Sequence, residues 1–341
     1  MIYSFGFDMA KDQFEVCLQQ YQLDQQTGHI LARNTFDNTP AGYKRWIKWA
    51  RSRASDPQLP WRVTMEATGV YYEPLALFIQ QNHPDIHLAV VLPSRAKKYI
   101  NSQGFRSKTD KIDAQGLALM GAERRLAPWE GIDPYWRELR SMTRTRADLM
   151  DQRTQLRNQL HALTHSGRPC EQVVRSIQAC ITTLSEQIKQ LTQAIYEQLN
   201  ARDELRPVLA YLLSIPGVGR LTVATLLAET NGFAAFHSIS QLISFNGYDV
   251  VVKQSGRWTG KPKISKQGSK YMRRAMYMPA NAVIRSKKGP LYDYYQRLLD
   301  THNVAMKAHV AVQKKLLTYV YVLWNKQERF DPQHIYSQRA A

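Results

Sequence analysis

The stretch Ser107-Lys108-Thr109-Asp110-Lys111-Ile112-Asp113-Ala114 decides how the first half of the chain is read. It opens a predicted helix. On a helix, positions i and i+3 lie one above the other, so Asp110 and Asp113 share a face while Lys111 turns away from it. Two neighbouring carboxylates repel, and they are tolerated at neutral pH when exposed to water or neutralised by a cation. For oxygen ligands a divalent metal serves best. The same residues also meet a purely structural need. Ser107 followed three residues later by Asp110 is a capping box, and acids favour a helix N-terminus in any case. The stretch alone leaves both readings open.

Toward the N-terminus, residues 2–7 form an apolar, aromatic strand that ends in Asp8, and residues 13–19 alternate through Phe14, Val16 and Leu18 as a second. Residues 30–36 make a third strand. Asn38-Thr39-Pro40 stops it, and a helix follows through Tyr43, Trp46, Ile47 and Ala50. Then come a short strand at 62–66, a helix at 71–81, an apolar strand at 87–92 and a helical turn at 95–101. Three strands followed by helix, strand, helix, strand, helix is the order of a ribonuclease H-like α/β domain, here spanning 1–128. In that order Asp8 ends the first strand and Glu66 the fourth. With those strands adjacent, both acids would project from one sheet edge, to which the last helix could bring Asp110 and Asp113. Four converging carboxylates can hold two Mg²⁺ ions roughly 4 Å apart, the arrangement that serves phosphoryl transfer. Singly, Asp8 reads as a strand-end turn residue and Glu66 as a surface acid. The glycine in Glu66-Ala67-Thr68-Gly69 suits a tight strand-to-helix turn.

Beyond Pro128 and Pro134 the pattern changes to heptads. Met142, Leu149, Leu156 and Leu163 recur every seven residues, with Leu139 and Leu160 on a second seam interrupted by Arg146 and Arg153. After Ser166-Gly167-Arg168-Pro169, one series runs Val174, Ile181, Ile188, Ile195 and another Cys170, Ile177, Leu184, Leu191. Two arms about a Gly-Pro turn predict an antiparallel coiled-coil hairpin over 134–205, with Cys170 in its seam. The hairpin can pack on itself, between subunits, or both.

The 341 residues suffice for two or three domains. Lys and Arg number 46 against 28 Asp and Glu, a net charge of +18 that favours a polyanionic partner. No apolar run approaches the ~20 residues a membrane span needs, the N-terminus begins a strand rather than a signal peptide, and three scattered cysteines form no framework. A cytoplasmic protein, nucleoid-associated when acting, is the expectation. The mainly α C-terminal domain, 206–330, holds Ile215-Pro216-Gly217-Val218-Gly219 between two helices. That turn reads as a plain tight turn or as a helix-hairpin-helix whose glycines, Gly217 and Gly219, admit a phosphate to backbone N–H groups. Residues 250–288 contain no Asp or Glu. Among their eleven positive charges are Lys253, Arg257, Lys261, Lys263, Lys266, Lys270, Arg273 and Arg274, with Trp258, Tyr271 and Tyr277 interleaved. This is the pattern of a nucleic-acid groove, whose affinity falls steeply with salt. Gln254-Ser255-Gly256-Arg257 within it reads as a turn, and no nearby histidine could serve Ser255 as a base. A polar tail covers 331–341.

Phe7-Asp8-Met9-Ala10-Lys11, Met65-Glu66-Ala67-Thr68-Gly69-Val70-Tyr71 and Lys108-Thr109-Asp110-Lys111-Ile112-Asp113-Ala114 together resemble the acidic motifs of the insertion-sequence one-ten transposases, a family that includes pilin-gene invertases and bridge-RNA-guided recombinases. Phe245-Asn246-Gly247-Tyr248, Gln254-Ser255-Gly256, Gly260-Lys261, Ile264-Ser265-Lys266-Gln267-Gly268 and Arg273-Arg274-Ala275 resemble its C-terminal domain, in order. The resemblance implies a RuvC-like domain with Asp8, Glu66, Asp110 and Asp113 as metal ligands, and Ser255 as a nucleophile that forms a phosphoserine link to DNA. Ser265 and Ser269 rank below Ser255. It further implies Mg²⁺, a structured noncoding bridge RNA beside donor and target DNA, and dimers pairing into a tetramer. The acids and Ser255 fall in different domains separated by the hairpin, so the active site could be completed between subunits. Nucleic-acid contacts are expected from Lys108 and Lys111 as well as the C-terminal basic residues. Two other readings make different predictions. A junction-resolving endonuclease would use the acids and water and leave no protein adduct. An architectural DNA-binding protein would keep its activity in Asp113→Asn.

Overall fold

Period-two alternation of apolar residues yields β1 (Ile2–Met9), β2 (Gln13–Gln22) and β3 (Thr27–Asp37), an antiparallel meander. Thr39 caps α1 (Pro40–Arg53) by accepting from the Gly42 N–H, with Pro40 at a first-turn position where a missing N–H costs nothing. The chain then returns as β4 (Trp61–Glu66), parallel to β1, and continues through α2 (Glu73–Asn82), β5 (His87–Val91), α3 (Pro93–Ser102) and α4 (Asp110–Glu123). The sheet order is β3-β2-β1-β4-β5. The structure, a computed structural model, describes residues 1–105, 109–131, 133–256 and 258–333, and the chain forms two compact units, 1–131 and 132–341. Lys108, Arg257 and most of the expected tail lie outside the described residues.

The two faces of β1 do different jobs. Tyr3, Phe5, Phe7 and Met9 point to the α1 and α2 side, where they pack with Trp46, Val63, Met65, Leu75 and Ile79. The intervening residues face α4, which lies almost on the strand. A Cβ at Gly6 would sit 2.0 Å from the Ala114 carbonyl oxygen, and one at Gly121 would sit 2.1 Å from Thr64 Oγ1. Ser4 Oγ donates to the Ala118 carbonyl at 2.6 Å, and Ala122 packs with Ile2. Rising residue numbers along α4 therefore meet falling numbers along β1, so the helix runs antiparallel to the strand. Thr109 caps α4, its side chain accepting from the Ile112 N–H, which leaves Asp110 as the first helical residue; Ser107, expected to open a capping box, lies outside the described residues.

In the second unit α5 (Pro134–Thr164) and α6 (Glu171–Asn200) form the expected antiparallel hairpin. The arginines that interrupt its apolar seam have polar partners across it. Arg146 Nε donates to Thr192 Oγ1 at 2.7 Å, and Arg153 reaches Ser185 Oγ at 3.4 Å. One seam residue is corrected: Cys170 stands exposed at the N-cap of α6, because the helix begins one residue after it. The rest comprises α7 (Leu205–Leu213), α8 (Arg220–Thr230), α9 (Ile239–Phe245), four two-residue strands β6 (Val250–Val251), β7 (Gln254–Ser255), β8 (Trp258–Thr259) and β9 (Lys263–Ile264), then α10 (Lys270–Ser286), α11 (Pro290–His302) and α12 (Ala305–Lys326). Apolar residues of α8, α10 and α12 build its core, with Leu139, Ile195 and Leu199 from the hairpin's base. Pro279 lies inside α10 and cannot donate to the Ala275 carbonyl; Thr222 Oγ1 approaches that oxygen at 3.4 Å.

Gly6→Val should force α4 off β1, because its nearest obstacles are backbone atoms that no rotamer change removes. Overpacking of this kind costs about 1–3 kcal/mol or more, which urea unfolding would register as a lower midpoint.

Candidate functional site

Register fixes the position of the first two acids. Phe7 pairs with Met65 in the parallel β1–β4 ladder, so Asp8 and Glu66 are the next residues along adjacent strands. Glu66 follows Thr64 by two residues and Asp8 follows Gly6 by two. Both therefore project on the α4 face, where the helix's antiparallel course brings its N-terminus to the same edge. Asp110 occupies the first position of that N-terminus and is exposed; Asp113, one turn on and half-buried, directly precedes the Ala114 that lies against Gly6. Gly69, with φ +61°, then turns the chain away between β4 and α2. Thr68 Oγ1 donates to Glu66 Oε1 at 2.5 Å. Lys111 is exposed in the first turn of α4. By chemistry, the two carboxylates at the sheet edge and the two on the first turn of α4 are the hard oxygen type that Mg²⁺ takes. Among the described residues, no three His, Cys, Asp or Glu side chains are drawn together closely enough to clasp an ion.

The serines of the second unit differ sharply in what holds them. Ser265 Oγ donates to Asp249 Oδ1 at 2.6 Å and accepts from the Gln267 N–H. Ser269 caps α10, accepting from the Met272 N–H, and its hydroxyl donates to Glu229 Oε2 at 2.9 Å. Ser255 is exposed on β7, which pairs antiparallel with β8 so that Ser255 faces Trp258 and Gln254 faces Thr259. Gly256, with φ +56°, supplies the positive backbone angle that such a two-residue connection needs at its first central position. Below, Pro262 has no N–H for the ladder, and pairing resumes between β6 and β9 at Val251 and Lys263.

Two family models match the sequence: one described as "Transposase" over residues 5–168, and one described as "Transposase IS116/IS110/IS902 family" over residues 209–296. The chain belongs to the IS110 family of transposases. It is 27% identical over 327 residues to the pilin gene-inverting protein of Moraxella bovis, an alignment covering 96% of this chain and 97% of the relative. It is 24% identical over 351 residues to the transposase for insertion sequence element IS1111A of Coxiella burnetii, covering 95% of this chain and 90% of that one.

The basic segment of this transposase is partly committed to its own fold. Arg274 Nη1 pairs with Asp151 of α5 at 2.6 Å, the Tyr271 hydroxyl reaches Asp148, and Arg273 Nη1 donates to the Asn246 carbonyl at 2.9 Å. The acids missing from 250–288 in the linear sequence are thus supplied by α5. Lys261, Lys263, Lys266 and Lys270 remain exposed. Gly217 is held for packing, since a Cβ there would lie 2.6 Å from the Pro279 carbonyl oxygen of α10. Nothing stands within 4 Å of the position a Cβ would take at Gly219, the N-cap of α8. Among the described residues, no helix is long and apolar enough to cross a membrane.

Two buried polar groups escaped the sequence. Glu229, its side chain only 2% exposed, accepts from Arg144 Nε at 2.6 Å and Nη2 at 2.9 Å as well as from Ser269, and so ties α5, α8 and the start of α10 together. Its signal was a single acid in the apolar run of α8. On α12, Gln313 links His309 Nδ1 at 2.8 Å to the hydroxyl of Tyr248, beside which Asn246 lies; Tyr277 stacks on the imidazole with ring centroids 4.7 Å apart.

Glu229→Gln should cost about 1–3 kcal/mol, the scale of hydrogen bonds to a charged group, with urea unfolding as the measure. Burial holds the His309 pKa below its ordinary value. The neutral ring therefore contributes stability that is complete above the unfolded value near 6.5 and is lost as pH falls through the lower folded value. Melting temperature should drop across that interval less in His309→Gln than in wild type.

Proposed function

We propose that this transposase cleaves and rejoins donor and target DNA through a phosphoserine intermediate on Ser255. The observation that carries the reading is the contrast among the three serines: Ser265 and Ser269 are tied into turns and caps, whereas Ser255 stands exposed on a turn amid a basic segment. Its Oγ attacks a DNA phosphorus, the phosphorus–oxygen bond to one DNA strand breaks, and the serine proton is passed by way of solvent to the leaving oxygen, releasing that strand's end as a hydroxyl. A hydroxyl from the exchanging strand then attacks the phosphoserine, restoring the DNA phosphodiester and the free serine. Phosphodiester energy is retained in the protein link, so the exchange consumes no nucleotide. Asp8, Glu66, Asp110 and Asp113 would hold Mg²⁺ on a RuvC-like domain. When bound, Mg²⁺ polarises the phosphate and stabilises the leaving oxygen. The exposed lysines neutralise DNA phosphates, and the net charge of +18 suits an additional bridge RNA. Assembly as a homotetramer, dimers pairing through the α5–α6 hairpin, completes the proposal.

The purified protein, its flanking-element RNA, Mg²⁺ and supercoiled donor and target DNA should give a covalent protein–DNA species on a denaturing gel. Ser255→Ala should abolish it. Cutting without an adduct, undiminished in Ser255→Ala, would instead establish a junction-resolving nuclease that uses water. Asp113→Asn should slow strand cleavage by at least about a hundredfold, the scale of several kcal/mol at the transition state. Its melting temperature should hardly move, since one charge at a helix N-terminus is worth about 0.3–1 kcal/mol.

A further inference from the structure

The turn that presents Ser255 also presents an indole. In an antiparallel ladder, directly opposed residues project on the same face with Cβ atoms ~4.5–5.5 Å apart. Ser255 opposes Trp258, so the hydroxyl and the indole emerge side by side. Alternation places Gly260 on that face too, across from Lys253, whose carbonyl accepts the Gly260 N–H at 2.9 Å. The six-membered ring of Trp258 lies over Gly260: a Cβ there would come within 2.7 and 3.2 Å of two ring carbons. Only glycine leaves room for the ring in this position. Trp258 nevertheless remains 60% exposed and contributes nothing to the core of its unit. An indole seated on bare backbone, open to solvent, beside a nucleophile and among lysines is a surface on which a nucleobase can stack.

We infer that Trp258 is a base-stacking site that positions the nucleotide next to the scissile phosphate for attack by Ser255. The inference rests on the phosphoserine reading for the role of Ser255. Stacking is indifferent to base identity, since every base has a π-face, so Trp258 fixes where along the strand the phosphate sits rather than which sequence is chosen. Lys253, on the same face, is placed to meet the phosphate charge.

The test uses the full chain with its RNA and a DNA whose cut site has been mapped by sequencing the cleaved ends. 2-Aminopurine is placed on either side of the scissile phosphate. Its fluorescence should be quenched on binding wild type and Ser255→Ala, and should recover in Trp258→Ala. Cleavage by Trp258→Ala should fall about tenfold or more, in line with the loss of one base–aromatic stack, and Trp258→Phe should restore most of it. The salt slope of non-specific DNA affinity should be the same as wild type in both variants, because no phosphate contact is removed. Cleavage at the wild-type rate by Trp258→Ala, or quenching that persists in it, would overturn the inference. So would a lowered melting temperature with no change in quenching, which would make the indole a shield for Gly260 alone. Loss of the adduct assignment to Ser255 would overturn the phosphoserine reading instead, and the fluorescence signal, read from binding, would still decide Trp258.

Discussion

The approach of α4 to β1 at Gly6 is the constraint on which the first unit depends. Helix and strand backbones come so near that the residue between them has no side chain, and the small or polar neighbours follow from the same proximity: Ser4, Ala114, Ala118 and Gly121. Packing at this distance fixes the height and direction of the helix, since backbone against backbone at Gly6 leaves no slack to take up. Because the helix runs antiparallel to β1, its N-terminal turn arrives where β1 and β4 end. The position of that polar edge is set by an apolar detail two residues inward.

In the second unit the corresponding role falls to a charge. Glu229 is buried, and burial is tolerable only because Arg144 and Ser269 satisfy it. The arrangement pins the first turn of α10, and with it the base from which the segment 250–264 departs. Ser265 and Ser269 are thus held by hydrogen bonds to Asp249 and Glu229 while Ser255 stands exposed on β7, so the three hydroxyls are told apart by their surroundings in the fold rather than in the sequence.

Much of this was legible in the sequence. Strand alternation, the Pro40 and Thr39 signals and the heptads around Ser166-Gly167 gave the element order of the sheet and the hairpin, because each is a local pattern of period two or seven. The acids were singled out through their spacing at Asp110 and Asp113 and their strand-end positions at Asp8 and Glu66, and the register puts Asp8 and Glu66 side by side. What stayed hidden was non-local. Asp148 and Asp151 lie more than a hundred residues from the tyrosine and arginine they pair with, so residues 250–288 looked like an unrelieved basic face. The cap at Thr109 and the displaced Cys170 were misread because helix ends are decided by backbone angles that neighbouring candidates can satisfy about equally well. Ser255 was singled out through resemblance alone. Its distinction lies in the hydrogen bonds its competitors make, which sequence does not display.

The contact between Ser4 and Ala118 spans 114 residues of chain. During synthesis the first strand emerges long before the helix that must cover it, and α4 is the last element of its unit to be made. Contacts of such long range form late and slowly, since loop closure precedes any gain from packing. A growing chain therefore holds Asp8 and Glu66 for some time without Asp110 and Asp113. The edge where β1 and β4 end is in this way left uncovered until the N-terminal unit has been translated to the end.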